Sequence, residues 1–258
     1  MSNQRVLTRH QVSRVKPTLT PQNTDVDSRC MGDGAAFVQN LMSTKHSLVD
    51  EGSYFVTTNP IPQTVLAYGS AGTQAAFSDT VPFMQLINTA GPQDANAPIV
   101  FFDYLKLLQI GGTAPATTTS VGYAIKVDNG FRAATAGTPV VAVPVCPNQQ
   151  LATVAPAARV VYFTGAVATI PAASAAARLV SRGQLKGGPT LVLDEYCLAS
   201  GMVDSPANGG YLTTVATYTT RCPPIAVGPG QSMTIHLFFP GGATSPFSYE
   251  FELGHFER

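Results

Sequence analysis

Four histidines, two carboxylate pairs and two glycine-rich turns are the residues of this 258-residue chain whose types could do chemistry. A hydrolytic site built on His10, His46, His236 or His255 would need a nucleophile on a strained turn and an acid to orient the ring. The chain has no GxSxG, and each histidine reads as a surface or sheet-face residue. Asp194 and Glu195 are adjacent in an apolar, extended run, so they project to opposite faces and cannot flank one bond. Glu250 and Glu252 do share a face, about 7 Å apart. That spacing suits a retaining glycosidase or a metal, but it reads first as the solvated face of an edge strand, where like charges discourage pairing. GPGQS (228–232) and GQLKGGPT (183–190) lack the GxxxxGK(S/T) spacing and precede no helix. No catalytic, cofactor-binding or metal-binding residue is therefore assigned, and the chain is not expected to be an enzyme.

Cys30, Cys146, Cys197 and Cys222 form no CxxC pair, and no histidine stands at a ligand spacing from them. Four thiols are too few for a disulfide scaffold. They read as free thiols of a protein assembled in a reducing cytoplasm. The opening MSNQRVLTRHQVSRVKPTL has no apolar stretch of the export type. No run reaches the roughly 20 apolar residues of a membrane span, so no membrane partner is expected.

The other candidates are cations. Arg5, Arg9, Arg14 and Lys16 precede the first acid, Asp25. They could meet acidic groups of a neighbouring subunit, or phosphates with an affinity that falls with salt. No aromatics are interleaved for base stacking, so subunit contact is the favoured reading and nucleic-acid contact the lesser one.

Composition says what must position these groups. Only 12% of residues are charged, about half the usual share, while 23 glycines and 20 prolines punctuate a 45% hydrophobic chain. Net charge is zero, so no general polyanion-binding surface is written into the molecule. Residues 1–50 are polar and lack alternation. They read as an extended arm with one short helix at 33–42, capped by Asp33. From residue 51 the grammar is that of strands: SYFVTT (53–58), VPFMQLIN (81–88), IVFFDYLKLLQI (99–110), VGYAIKVDNGFRAA (121–134) with a hairpin signal at Asp128-Asn129-Gly130, TPVVAVPV (138–145), ARVVYFTGAVATI (158–170), ARLVSRGQL (177–185), TLVLDEYCL (190–198) and YLTTVATYTT (211–220). IAVGPGQSMTIHLFFPGG (225–242) reads as turn, strand, turn, with Met233, Ile235, Leu237 and Phe239 on one side. FSYEFELGHFER (247–258) has the cleanest alternation, broken at Gly254. PAASAAARLV (171–180) reads equally as a loop or a helical turn. The fold class is an all-β antiparallel sandwich over 51–258, behind an arm over 1–50.

SLVDEGSYFVTTNPIP (47–62), PPIAVGPGQSMTIHLFFPG (223–241) and FSYEFELGHFER together resemble stretches of virion structural proteins of tailed bacteriophages. The resemblance implies a jelly-roll-like sandwich, often trimeric, that decorates or cements a capsid. Its partners would be other copies of itself and the major capsid protein, and its place the virion. A jelly-roll capsid protein or a tail component is the alternative it leaves open. A carbohydrate-binding module, which would use exposed tyrosines in the absence of tryptophan, stands as a reading of another class.

Overall fold

The computed structural model describes residues 44–59, 78–92, 94, 96–111, 121–132, 139–151, 155–163, 170–186, 192–200, 217–238 and 248–258. Helix α1 (Thr44–Asp50) leads into β1 (Tyr54–Thr58), β2 (Met84–Asn88), β3 (Val100–Gly111), β4 (Val121–Asp128), β5 (Pro139–Ala142), β6 (Ala158–Phe163), β7 (Arg178–Lys186), β8 (Glu195–Ser200), β9 (Thr217–Cys222), β10 (Ile225–Val227), β11 (Ser232–Phe238) and β12 (Ser248–Glu257). Sheet I runs β1-β12-β3-β8-β9, with β10 also on β3; sheet II runs β5-β6-β2-β11-β4-β7.

The pairings follow one rule. With β5, β6, β9 and β10 left out and the rest counted inwards from the first and last strands, β1 pairs β12, β2 pairs β11, β3 pairs β8 and β4 pairs β7, all antiparallel. The chain is thus a long two-stranded ribbon. Rolling it up brings β12 beside β3 and β11 beside β4, which closes the two sheets. This is the strand order of a jelly roll. The extra strands are additions to it. β5 and β6 extend sheet II beyond β2, and β9 and β10 extend sheet I. The antiparallel expectation holds except at β8–β9, which pair in parallel.

Alternation places the core between the sheets. Phe102, Leu105 and Leu107 of β3, Tyr249, Phe251 and Leu253 of β12, and Tyr196 and Leu198 of β8 face Met84, Leu86, Tyr123, Ile125, Met233, Ile235 and Leu237 of sheet II. Each such side chain contributes about 1.5–3 kcal/mol by leaving water. Gly254 shows how closely neighbouring side chains crowd across the strands of sheet I. It sits at a register shift in β12, and a Cβ there would lie 2.7 Å from the Tyr54 hydroxyl and overlap the Tyr104 ring.

The turn between β10 and β11 ties the two sheets together, as its sequence suggests: β10 pairs β3 in sheet I, and β11 lies in sheet II. Gly230 takes a positive φ of 71°, and Gly228 N–H donates to the Gln231 side chain at 2.9 Å. Asn88 fastens the turn from β2, donating to the carbonyls of Val227 and Pro98.

Four expectations are corrected. Asp128-Asn129-Gly130 makes no hairpin: Asp128 bonds Gly130 N–H locally, but the chain then crosses to β5 at the far end of sheet II. The run 190–198 is strand only from Glu195, because Val192 and Leu193 form a turn in which Leu193 has φ 72°. β11 is buried on both faces rather than one. β12 lies between β1 and β3, so Glu250 and Glu252 are not on an edge strand. The stretch before β7 is loop and turn rather than helix. The expected helix at 33–42 lies outside the described residues.

Candidate functional site

Three polar constellations lie off the core. The first covers the outer face of sheet II. The residues alternating with its core-facing set there are Gln85, Lys126, Asp128, Ser232, Thr234 and His236, and all but Lys126 are buried. Arg132, with 4% of its side chain exposed, fixes the segments above them. Its Nε and Nη2 donate to the Pro171 carbonyl at 3.0 and 2.8 Å, and Nη2 also donates to the Asp79 carbonyl at 2.8 Å. The Arg132 carbonyl in turn accepts from Gln85 Nε2 at 2.6 Å. Asp128 accepts from Ser174 N–H at 2.8 Å and Ser174 Oγ at 2.6 Å, with the Arg132 guanidinium 3.8 Å away. Burial works against its ionised form, but these hydrogen bonds and the arginine outweigh it and hold the carboxyl below its ordinary range. Lys126 pairs with Asp79.

His236 belongs to this layer, with Nε2 3.1 Å from Thr234 Oγ1. Burial pushes its pKa down from 6.5 to about 4. An unfolded chain takes up the proton below about pH 6.5, and the fold resists it to about 4. The associated stability is complete above 6.5 and lost as pH falls toward 4. A depression of that size corresponds to about 3 kcal/mol. The midpoint of urea unfolding should drop steeply between pH 6.5 and 4, and His236→Gln should flatten that part of the profile. A wild-type profile level across this window would show that the imidazole protonates in place.

The second constellation joins the sheets at one end. Lys186 Nζ of β7 lies 2.6 Å from Asp194 Oδ2 just before β8, with side chains 9% and 0% exposed. The ammonium also sits 4.7 Å from the Tyr218 ring centroid, and the Tyr196 hydroxyl donates to the same carboxylate at 3.3 Å.

The third lies on the outer face of sheet I. Tyr54 Oη donates to Asp103 at 2.6 Å, Lys45 bonds the same oxygen at 2.8 Å, and Tyr104 Oη donates to Glu252 at 2.5 Å. Burial first, and then these carboxylates, push both phenols well above their ordinary range. They therefore stay protonated donors. Beside them Thr58, Asn59, Lys106, Leu108 and both Glu250 and Glu252 line an open groove of about 200 Å³.

Carboxylates that looked free in the sequence are thus partnered. Asp194 is locked to Lys186, and Glu195 stands 3.5 Å from Lys106. Glu257, buried, accepts the N–H groups of Ala157 and Ala158 and so ties β12 to the start of β6. His255 stacks on Phe55 at 5.5 Å, and His46 is exposed on α1. Among the described residues no three His, Cys, Asp or Glu stand together as metal ligands would. Cys146, Cys197 and Cys222 are unbridged. Burial raises the Cys222 thiol to about 11. Arg5, Arg9, Arg14, Lys16, His10 and Cys30 lie outside the described residues. No described helix is long and apolar enough to cross a membrane.

Sequence reasoning missed Asp103, Arg132 and Lys186, whose partners are 58, 39 and 8 residues away. It also passed over one visible signal. TPVVAVPV reads as a strand, but its outward residues are valines. Val141, Val143 and Val145 are 51, 71 and 59% exposed.

The fold and these networks define a jelly-roll β-sandwich whose described core is filled by buried side chains, with polar networks over the outer faces of both sheets. No protein-family model, curated protein or solved structure matches the chain.

Proposed function

We propose that this is a non-enzymatic structural protein of a virus particle, one that decorates or cements a capsid shell. The observation that carries the reading is the complete rolled ribbon, an architecture shared by viral coat proteins, lectins and cupins. Two further features favour the first of these. Tyr162, Tyr196, Tyr249 and Phe102 fill the space in which a small-molecule-binding relative would hold its ligand. The sequence before α1 is polar and carries Arg5, Arg9, Arg14 and Lys16, a composition that suits an arm docking on a partner. A polar arm cannot offset its own ordering entropy, about 1–2 kcal/mol per residue, without a partner surface. Its partners would be other copies of the chain and the major shell protein.

A second reading, that the chain builds the shell itself, is favoured by the exposed Val141, Val143 and Val145 in and after β5. The test separates them. Shells carrying the chain are washed under conditions that release peripheral proteins, and the remnant is imaged. A closed remnant without the chain fits a decoration protein, and collapse fits a coat protein. Absence of the chain from purified particles would overturn both. Deleting residues 2–24 should leave the melting temperature unchanged while abolishing stable incorporation. Normal incorporation of the truncated chain would sink the role of the arm.

A further inference from the structure

On one flank of the sandwich the last strand of sheet II, β7, faces the last strand of sheet I, β9. That flank is closed at one end and open at the other. Near the end of β7 the sheets meet: Thr220 Oγ1 lies 3.4 Å from the Gln184 carbonyl, and Lys186 stands over the Tyr218 ring. Further along, β9 stops at Cys222, and Pro223-Pro224 carries the chain across to pair with β3 as β10. Two residues without a backbone N–H cannot continue the ladder on β8. The start of β7 therefore faces β10 across a cleft of about 450 Å³.

The cleft has an apolar floor and a polar mouth. Val127 and Val180 of sheet II and Ile225 of sheet I form the floor, all packed on the core. Asn129, Arg178 and Gln231 stand at the mouth. Arg178 pairs opposite Val127 in the β4–β7 ladder, and directly opposed residues project from the same face. Val127 is on the core-facing side, so the arginine projects toward sheet I across the cleft rather than away from it. It makes no ion pair with any described residue, and no carboxylate is among the described residues that line the cleft. Gln231 adds a donor: its Oε1 accepts Gly228 N–H at 2.9 Å, so Nε2 is the group it has to offer a ligand.

The complement of an apolar floor with a guanidinium and an amide N–H at its mouth is an apolar body ending in one anion. Guanidinium meets carboxylate best, through two parallel N–H···O bonds. The volume falls within the roughly 300–1,000 Å³ of small-molecule pockets. We propose that the cleft between β7 and β10 binds a small amphipathic carboxylate, with its apolar part on Val127, Val180 and Ile225 and its anionic head on Arg178 and Gln231. The cleft lies outside the filled interior of the sandwich, and the inference stands apart from the virion reading.

The probe is octanoate, titrated into the full chain below its micelle concentration and followed by amide NMR shifts. The signals of Val127, Val180 and Ile225 should move together and saturate. Octanol, with the same tail and no charge, should bind about 10-fold or more weakly, and octylammonium more weakly still. Arg178→Gln should bring octanoate down to the affinity of octanol while leaving octanol unchanged, a separation that a purely structural arginine would not produce. Ala176→Trp, at an exposed turn position on the cleft, should block both ligands with the melting temperature unchanged. No saturable shift at these residues, or octanoate binding indifferent to Arg178→Gln, would overturn the proposal. So would self-association of the Arg178→Gln chain with no carboxylate binding by the wild type, which would make the arginine a guard of the sheet edge alone.

Discussion

Lys186→Met is expected to lower the unfolding free energy by about 3–5 kcal/mol, the cost of leaving a buried partner uncompensated. Asp194 is fully buried and Lys186 nearly so, and the pair spans the two sheets. Removing the ammonium takes away the partner at 2.6 Å, while the Tyr196 hydroxyl donates to the same carboxylate only at 3.3 Å. Asp194 cannot swing out to water, because its carbonyl accepts Gln109 N–H at 2.9 Å and Leu193 N–H is bonded to the Gln109 carbonyl at 2.7 Å. A loss of that size is a large share of the 5–15 kcal/mol that keeps a domain folded. Urea titration gives the number. The double variant Lys186→Met/Asp194→Leu should recover most of the loss, because an apolar pair of similar volume needs no desolvation of charge. A single variant within 1 kcal/mol of wild type would show that water reaches the carboxylate.

Arg132→Met is the second large effect, also expected at about 3–5 kcal/mol. The arginine donates to two carbonyls of separate segments and stands beside Asp128, so its removal leaves two acceptors short of a donor and takes the nearby positive charge from a buried carboxylate. The loss should be local in its first appearance. Limited proteolysis should open the segments at 78–83 and 170–176, which the guanidinium holds together, before sheet I is cut. Cleavage spread evenly over the chain would count against that reading.

These two residues mark what sequence could and could not reveal. The strands were legible wherever one face meets the core, because period-2 alternation is a direct imprint of the pleat. FSYEFELGHFER is the clearest case. Legibility failed at β11, where Thr234 and His236 look like a solvated face and are buried under a second polar layer. It failed also at Val192 and Leu193, whose β-strand character is overridden by the turn that places Asp194 opposite Lys186. Asp128-Asn129-Gly130 carries hairpin chemistry, but its carboxylate is used by Ser174, 46 residues on. In each case the deciding contact is long-range, and a single sequence records the two partners without recording that they meet.

The first strand of the ribbon finds its partner only in the last. Tyr54 pairs opposite Phe256, some 200 residues further along the chain. At a synthesis rate of about 5–20 residues per second, β1 waits about 10–40 s for β12 to be made. The inner pairs such as β4 and β7 come together first, and the closing pair last. During that interval β1 and the edge of β3 that will receive β12 have no mate, which makes the nascent chain a client for holding factors. A chain released before β12 is made would lack an inner strand of sheet I, the one between β1 and β3, rather than a marginal one.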